Sequence, residues 1–319
     1  MSAPGIFPKV TERLGLGVGM DLPWGDDIGF ERHPAGDRIR SKVGHFLQRH
    51  ARDFSYLTVA YQPRNRETLE SSDYHAAFDT LMAAGRDIPH RAFHHTLLNT
   101  GAMEAYDRHQ IIKFTNELIE RYGFLWVVED IGLWSLQGKS LPYPLPPVLT
   151  PEGLDATVEN VAQIQASLAV PLCLEFPGFT EGATIFIEEV EAYDFFAAVA
   201  ERTASPVTLD VGHLLSYQWL KGRVGERRFE GLERLPVQRA FEIHLSGCGI
   251  SNGKFRDLHH GVLLDEQLDL LQHLLTRCPN LKAITYEDPR YDDAGVLIPK
   301  SVANYERLKV MVEQWKAAP

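Results

Sequence analysis

The chain has 319 residues, 44% hydrophobic and 24% charged, the proportions of a globular protein with a sizeable core rather than of a disordered or fibrous one. Its 32 basic and 43 acidic residues leave a net charge of −11, which argues against a nucleic-acid binder or a ligand of anionic membranes, because phosphate neutralisation needs clustered Lys and Arg. Three cysteines (Cys173, Cys248, Cys278) without CxxC spacing, no apolar run of membrane-spanning length and no basic-then-apolar leader in MSAPGIFPKV predict a reducing, cytoplasmic setting.

Short apolar segments rich in β-branched and aromatic residues recur along the chain. The first three predicted strands are Leu14–Val18, Tyr56–Ala60 and Arg91–His95. Asp107 and Gln110 then suggest a capping box for a helix carrying Ile111, Thr115, Leu118 and Tyr122. A fourth strand, Leu125–Glu129, is followed by a proline-rich stretch, Leu141–Pro151, expected to form a long loop. Thr150 as N-cap and Pro151 at the first helical position open a helix with Leu154, Val158, Val161 and Leu168 on one face. Strands follow at Pro171–Glu175, Val207–Val211 and Ala240–Leu245, then a Leu264, Leu268, Leu271, Leu275 stripe, then a last strand at Ala283–Glu287. Strands nearly apolar throughout, alternating with helices about eight times, predict one parallel (β/α)8 TIM barrel over residues 1–319, with a loose N-terminal tail of about residues 1–12. The rival is an open doubly wound sheet. Gly15, Gly17 and Gly19 (GLGVG) do not support it, since they lack the spaced third glycine of a dinucleotide-binding loop.

The predicted strands end in metal-binding residue types. His94, Glu129, Glu175, Asp210, His244 and Glu287 lie at or near the ends of the third to eighth strands, which in a parallel barrel share the face that carries active sites. Packed carboxylates repel unless cations neutralise them, and imidazole mixed with carboxylate suits Zn, Mn or Fe. His213 in DVGH adds a ligand from the turn after Asp210; Asp257 and His259 in DLHH form a D-x-H pair whose side chains point the same way on an extended segment. His109 sits in the first turn of its helix, which also starts at the catalytic face. Any one of these has a structural reading as a hydrogen-bonded or ion-paired residue; the joint pattern is what predicts a metal centre. Adjacent His94 and His95 face opposite sides of a strand, and His94 is chosen. Cys248 reads as a buried hydrophobe or a soft ligand, Trp134 as core or pocket wall, Asn99–Gly101 as a turn, and Arg64, Asn65 and Arg66 as a solvated loop.

These residues carry a resemblance to the multinuclear non-heme iron-dependent oxidative enzymes, the family of the methanobactin and 3-thiaglutamate biosynthesis enzymes. HHTLLNTG resembles the family's HGVGLSLG, aligning His94; DRHQ resembles its next His-containing segment, aligning His109; VVEDIGLWS resembles SEHLAWS, aligning Glu129. PLPPVLTPEGL is similar to LPLPYTEEAL, LCLEFP to LLLENP, TLDVGHL to LLDVNN, FEIHLSG to EIHLAG, RDLHHG to the D-x-H-G segment and ITYED to IEWD. The chain departs from the family at Asp130 (His there), Phe176 (Asn), His213 (commonly Asn) and Cys248 (a second His), and reads AYQPRN where the family has ENY. The resemblance implies a xylose-isomerase-like barrel, two or three iron ions (Fe2+/Fe3+) and O2 as cosubstrate. It also implies oxidation of a small molecule or a peptide side chain in natural-product biosynthesis, with a partner protein presenting any peptide. Glu129, Asp130 and His213 are the expected catalytic residues. The order Glu175, Asp210, His244, Glu287 also resembles xylose-isomerase-like sugar epimerases, where one divalent ion holds the sugar and the two glutamates move protons. The fuller set looks like trinuclear-zinc endonucleases, which the −11 charge disfavours. A metal-free scaffold would leave the clustered carboxylates without a purpose.

Overall fold

The structure, a computed structural model, describes residues 7–22, 36–61, 72–179, 187–259 and 262–318. Arg64, Asn65 and Arg66 lie outside the described residues. The chain runs β1 (Gly15–Asp21), α1 (Gly36–His50), β2 (Tyr56–Ala60), α2 (Ser72–Ala84), β3 (His90–His94), α3 (His109–Tyr122) and β4 (Val127–Asp130). A hairpin of β5 (Leu133–Leu136) and β6 (Lys139–Leu145) precedes α4 (Pro151–Ser167), β7 (Leu172–Glu175), α5 (Ala192–Thr203), β8 (Val207–Asp210), α6 (Val211–Leu220) and β9 (Ala240–Leu245). A second hairpin, β10 (Gly247–Ser251) and β11 (Lys254–His259), leads to α7 (Asp265–Leu275), β12 (Ala283–Glu287) and α8 (Pro299–Ala317).

Eight of these strands close into one barrel in the order β1-β2-β3-β4-β7-β8-β9-β12, every pair parallel. This is the predicted (β/α)8 fold. The interior is packed by Tyr56, Ala92, Trp126, Val128, Cys173, Phe241 and Ala283. Phe7 and Val10, from the segment expected to be a loose tail, pack against this interior set. A larger apolar layer joins the barrel to its helices and holds Phe46, Phe78, Leu118, Val161, Phe196 and Leu271 among others.

The glycines of GLGVG serve this closure. A Cβ on Gly17 would stand 2.2 Å from the Tyr56 ring, and one on Gly19 would stand 2.9 Å from Glu287 Cγ. The missing side chains make room for Tyr56 across the barrel and for Glu287 at its mouth.

Two expectations need correction. The proline-rich stretch is not a long loop: its first half is β6, paired antiparallel with β5, and α4 starts at Pro151 with Thr150 capping the Gly153 N–H at 3.1 Å. Proline is tolerated on such an edge strand because its missing N–H costs no ladder bond. The Asp107–Gln110 capping box does not form; Arg108 occupies the N-cap position and Asp107 accepts the His109 N–H at 2.9 Å. Among the described residues no helix is long and apolar enough to cross a membrane.

Candidate metal centre

Residues paired in register on parallel strands face the same side of the sheet. The register sets Asp130 beside Glu175, Asp210 beside His244 and Gly19 beside Glu287. His94, Asp130, Glu175, Asp210, His244 and Glu287 therefore converge at the C-terminal mouth. Glu175 sits at their centre: its Oε2 lies 2.8 Å from His94 Nε2 and its Oε1 3.1 Å from His244 Nδ1. Glu287 Oε1 is 3.2 Å from the same His244 nitrogen.

Two further elements close over this floor. Because α6 begins directly after β8, Asp210 is its N-cap and accepts the His213 N–H at 2.6 Å, which fixes His213 one turn above. The His213 ring then lies with Nδ1 at 2.8 Å from the Phe176 carbonyl and Nε2 at 3.3 Å from Asp257 Oδ2. The Phe176 side chain, standing where the family has Asn, is buried among Phe179, Tyr193, Phe196 and Tyr217, so here only its carbonyl serves the site. The β10–β11 hairpin brings Asp257, whose Oδ1 accepts Ser246 Oγ–H at 2.9 Å and whose Oδ2 lies 4.0 Å from His259 Nε2. His259 is half-exposed at the rim, with Nδ1 3.5 Å from Asp288 Oδ2.

Four trios have ligand atoms close enough to share an ion: His94, His244 and Glu287; His94, Asp130 and Glu175; Glu175, Asp210 and His244; His213, Asp257 and His259. The donor set is imidazole and carboxylate, which suits first-row transition metals. Several buried atoms in these residues find no hydrogen-bond partner among the described residues: His94 Nδ1, Asp130 Oδ1, Asp210 Oδ2 and Asp257 Oδ2. Orphans of this kind are costly and rarely cluster by accident. The residues present thus fit a multinuclear metal centre.

The electrostatics agree. Burial, then the charge of Glu175, pushes Asp130 up to about 6. Burial pushes Glu287 up to about 7 with help from Glu175 and against the pull of His244. For His94 burial opposes the charge, but Glu175, Glu287 and Asp130 outweigh it and hold the ring at about 9. Without cations the cluster balances itself with protons. The cavity above it, about 200 Å³, is bounded by Met20, Thr58, Trp134 and Pro144, with Asp21 and Asp288 at its edge.

Two predicted ligands lie elsewhere. Glu129 turns away from the mouth; its Oε2 and Oε1 accept the Leu98 and Asn99 N–H groups at 2.8 and 2.7 Å. Asp130, one residue on, takes the inward position. His109 is exposed on the outer helix ring, beside a groove between α3 and α4, and belongs to none of the trios. Cys248 is buried behind the centre, where a Cβ on Gly212 would meet its Sγ at 3.0 Å. Asn99 is more than a turn residue: its Oδ1 accepts the Trp134 N–H at 2.7 Å and its Nδ2 donates to the Ser135 carbonyl at 3.1 Å, fastening the β5–β6 hairpin over the mouth. Sequence reasoning missed Asp288 and Asp21, although both stand one or two places past inward positions of barrel strands.

The profile of the family described as RiPP precursor modification enzyme MbnB/TglH/ChrH matches residues 68–303. A UPF0276 protein of Paraburkholderia phytofirmans is 28% identical over 190 residues, 59% of this chain and 58% of that protein. A UPF0276 protein of Streptomyces avermitilis is 28% identical over 167 residues, 50% of this chain and 31% of that protein. The chain therefore aligns with little more than half, or less, of these relatives' length. Among solved structures, D-psicose 3-epimerase in the presence of D-fructose superposes with a TM-score of 0.50 at 14% identity, covering 95% of this chain and 97% of that one. An Anabaena variabilis protein provisionally described as a sugar phosphate isomerase/epimerase gives 0.52 at 11% identity, covering 95% and 100%. At such identities the likeness is one of fold, a xylose-isomerase-like barrel.

Proposed function

The chain belongs to the RiPP precursor modification enzyme family MbnB/TglH/ChrH, and on that premise we propose that it holds two or three iron ions at its barrel mouth and uses O2 to oxidise a peptide side chain or a small molecule in natural-product biosynthesis. The observation that carries this reading is an excess of ligands. Four trios built from nine residues, three of the trios sharing members, offer more nitrogen and oxygen donors than one ion can use. His94, Asp130, Glu175, Asp210, His244 and Glu287 would hold adjacent ions, with Glu175 turning one oxygen to each side; His213, Asp257 and His259 would hold another. Iron bound there supplies one-electron redox chemistry and the Lewis acidity that lowers the pKa of a substrate heteroatom.

The chain's own groups do the rest. The Phe176 carbonyl anchors His213 through Nδ1 and turns Nε2 toward Asp257. Trp134 and Pro144 wall the cavity against water, and Trp134 Nε1, which lacks a partner among the described residues, is a donor for an acceptor on the substrate. A cavity of about 200 Å³ is smaller than an ordinary drug-sized pocket, so a peptide would enter by a single side chain, with a partner protein presenting it.

The test is metal analysis of anaerobically purified protein, followed by O2 uptake with candidate substrates. At least two irons per chain and substrate-dependent O2 consumption are expected. A second reading, sugar epimerisation, is favoured by Glu175 and Glu287 flanking His244 Nδ1 at 3.1 and 3.2 Å as a pair of proton-moving groups. Turnover without O2 by iron-free protein reconstituted with Mn or Zn would establish it instead.

A further inference from the structure

One layer beneath the metal centre the barrel interior departs from the bulky branched residues that normally fill it. Glu242, two residues before His244 on β9, is fully buried there. Its Oε2 accepts the Trp126 Nε1–H at 2.6 Å, and its Oε1 accepts the Tyr56 hydroxyl at 3.1 Å and the Thr285 hydroxyl at 2.5 Å. Three donors, from β2, from the residue just before β4 and from β12, thus fix a carboxylate in the middle of the barrel. A buried carboxylate is costly, and an apolar residue of similar size would fill the space. The reason to keep it lies directly above: among the described residues His244 Nε2 finds no aligned hydrogen-bond partner, and the carboxylate oxygen it approaches is Glu242 Oε1, at 3.2 Å. The other ring nitrogen, Nδ1, faces Glu175 and Glu287.

A neutral imidazole carries its proton on one nitrogen and presents a lone pair on the other. We propose that Glu242 is a positioning residue for the metal centre: it holds the His244 proton on Nε2 and the ring in place, so that the Nδ1 lone pair is directed at the ions. Tyr56, Trp126 and Thr285 serve in turn to orient Glu242. An acceptor behind a metal-binding histidine fixes its tautomer and raises its basicity, and this one is preorganised before any ion arrives. The inference rests on the metal reading of the site.

Zn(II) retention tests it, with wild type and variants titrated against a competing chelator and the fold followed by circular dichroism. Glu242→Gln is expected to keep the fold and to weaken Zn(II) binding by about 10- to 100-fold. Tyr56→Phe, which removes one of the three donors to the same carboxylate and leaves Trp126 and Thr285 holding it, is expected to weaken binding less than Glu242→Gln does. Unchanged binding by Glu242→Gln, or an equal loss in Tyr56→Phe, overturns the inference. Should Glu242→Gln fail to fold, the wild-type chain decides: with 15N-labelled histidine and Zn(II) bound, His244 should coordinate through Nδ1 and carry a slowly exchanging proton on Nε2. Coordination through Nε2 overturns the inference. A wild type that takes up neither Zn(II) nor Fe(II) overturns the metal reading as well; a metal-loaded wild type beside an unaffected Glu242→Gln overturns only the role of Glu242.

Discussion

Two histidine–carboxylate pairs end the same two strands, and the barrel treats them in opposite ways. His94 and Asp130 face the mouth; His95 and Glu129, their neighbours in sequence, face the helix layer. All four are buried. The outward pair is satisfied by the protein: His95 Nδ1 accepts the Leu97 N–H at 2.9 Å, its Nε2 lies 2.9 Å from Thr115 Oγ1, and Glu129 accepts two backbone donors. Arg108 completes that region by donating to the carbonyls of Leu98 and Asn99 at 2.5 and 2.9 Å. The inward pair keeps atoms with no hydrogen-bond partner among the described residues, His94 Nδ1 and Asp130 Oδ1. Titration separates them as well. Burial, aided by His94, drives His95 down to about 3, whereas carboxylates hold His94 at about 9. Buried residues of the same types are structural where backbone groups answer them and ligand-seeking where only other ligands do. Leftover bonding capacity, more than residue type, marks the site.

The severest challenge to that contrast is on the cavity side. His244 belongs to two of the trios and has no neighbour placed to replace it. His244→Ala is expected to lower metal affinity by more than the roughly 100-fold ceiling typical of outer-layer changes, with turnover lost in parallel. Metal per chain measured by mass spectrometry checks this, and a full metal complement would show that the ions sit elsewhere.

Exchanging the treatment of the two carboxylates comes next. Glu129→Ala strands the Leu98 and Asn99 N–H groups, each worth about 1–3 kcal/mol when left unpaired. Stability to urea should therefore drop by roughly 2–6 kcal/mol, while the folded fraction keeps its metal. Asp130→Asn should do the reverse: metal is lost, and the metal-free protein is no less stable because repulsion with Glu175 is relieved. Asp130→His, which supplies a different ligand at the same position, should retain more metal than Asp130→Asn. Loss of metal in Glu129→Ala at unchanged stability would reverse the assignment.

Acid sharpens the comparison further. A histidine whose folded pKa lies below its unfolded value of about 6.5 supports folding fully above that value, and the support fades as pH falls toward about 3, because the unfolded chain takes up the proton first. His95→Gln should flatten this acid limb in urea midpoints of metal-free protein measured from pH 7 to 5. An acid limb as steep as that of wild type would mean that His95 is not held neutral.

The smallest effect is expected at His109. Exposed on α3, outside every trio, it should tolerate His109→Ala with less than about 0.5 kcal/mol change in stability and an unaltered metal content.

Much of the architecture was legible in the sequence because it is written locally. Tyr56–Ala60, Ala240–Leu245 and Ala283–Glu287 are strands over the residues their apolar runs predict, and Thr150 with Pro151 opens α4 as expected. The convergence of Glu175, Asp210, His244 and Glu287 follows once eight parallel strands are granted, since strand ends of a barrel share one face. What sequence left open was parity. The predicted fourth strand ends at Glu129 and the observed one at Asp130, and a single-residue offset turns every side chain to the opposite face. Apolar residues on both faces of a barrel strand give no alternation from which to choose, so the choice fell to register against β3 and β7. The covering of the mouth was equally a tertiary matter. Asp288 and Asp21 meet because β1 and β12 pair to close the barrel, at 3.1 Å between the Asp21 N–H and Asp288 Oδ1, and Asn99 reaches Trp134 across 35 residues. Periodicity along one strand specifies which residue types reach the mouth, but only closure, which joins the first strand to the last, decides which of them meet.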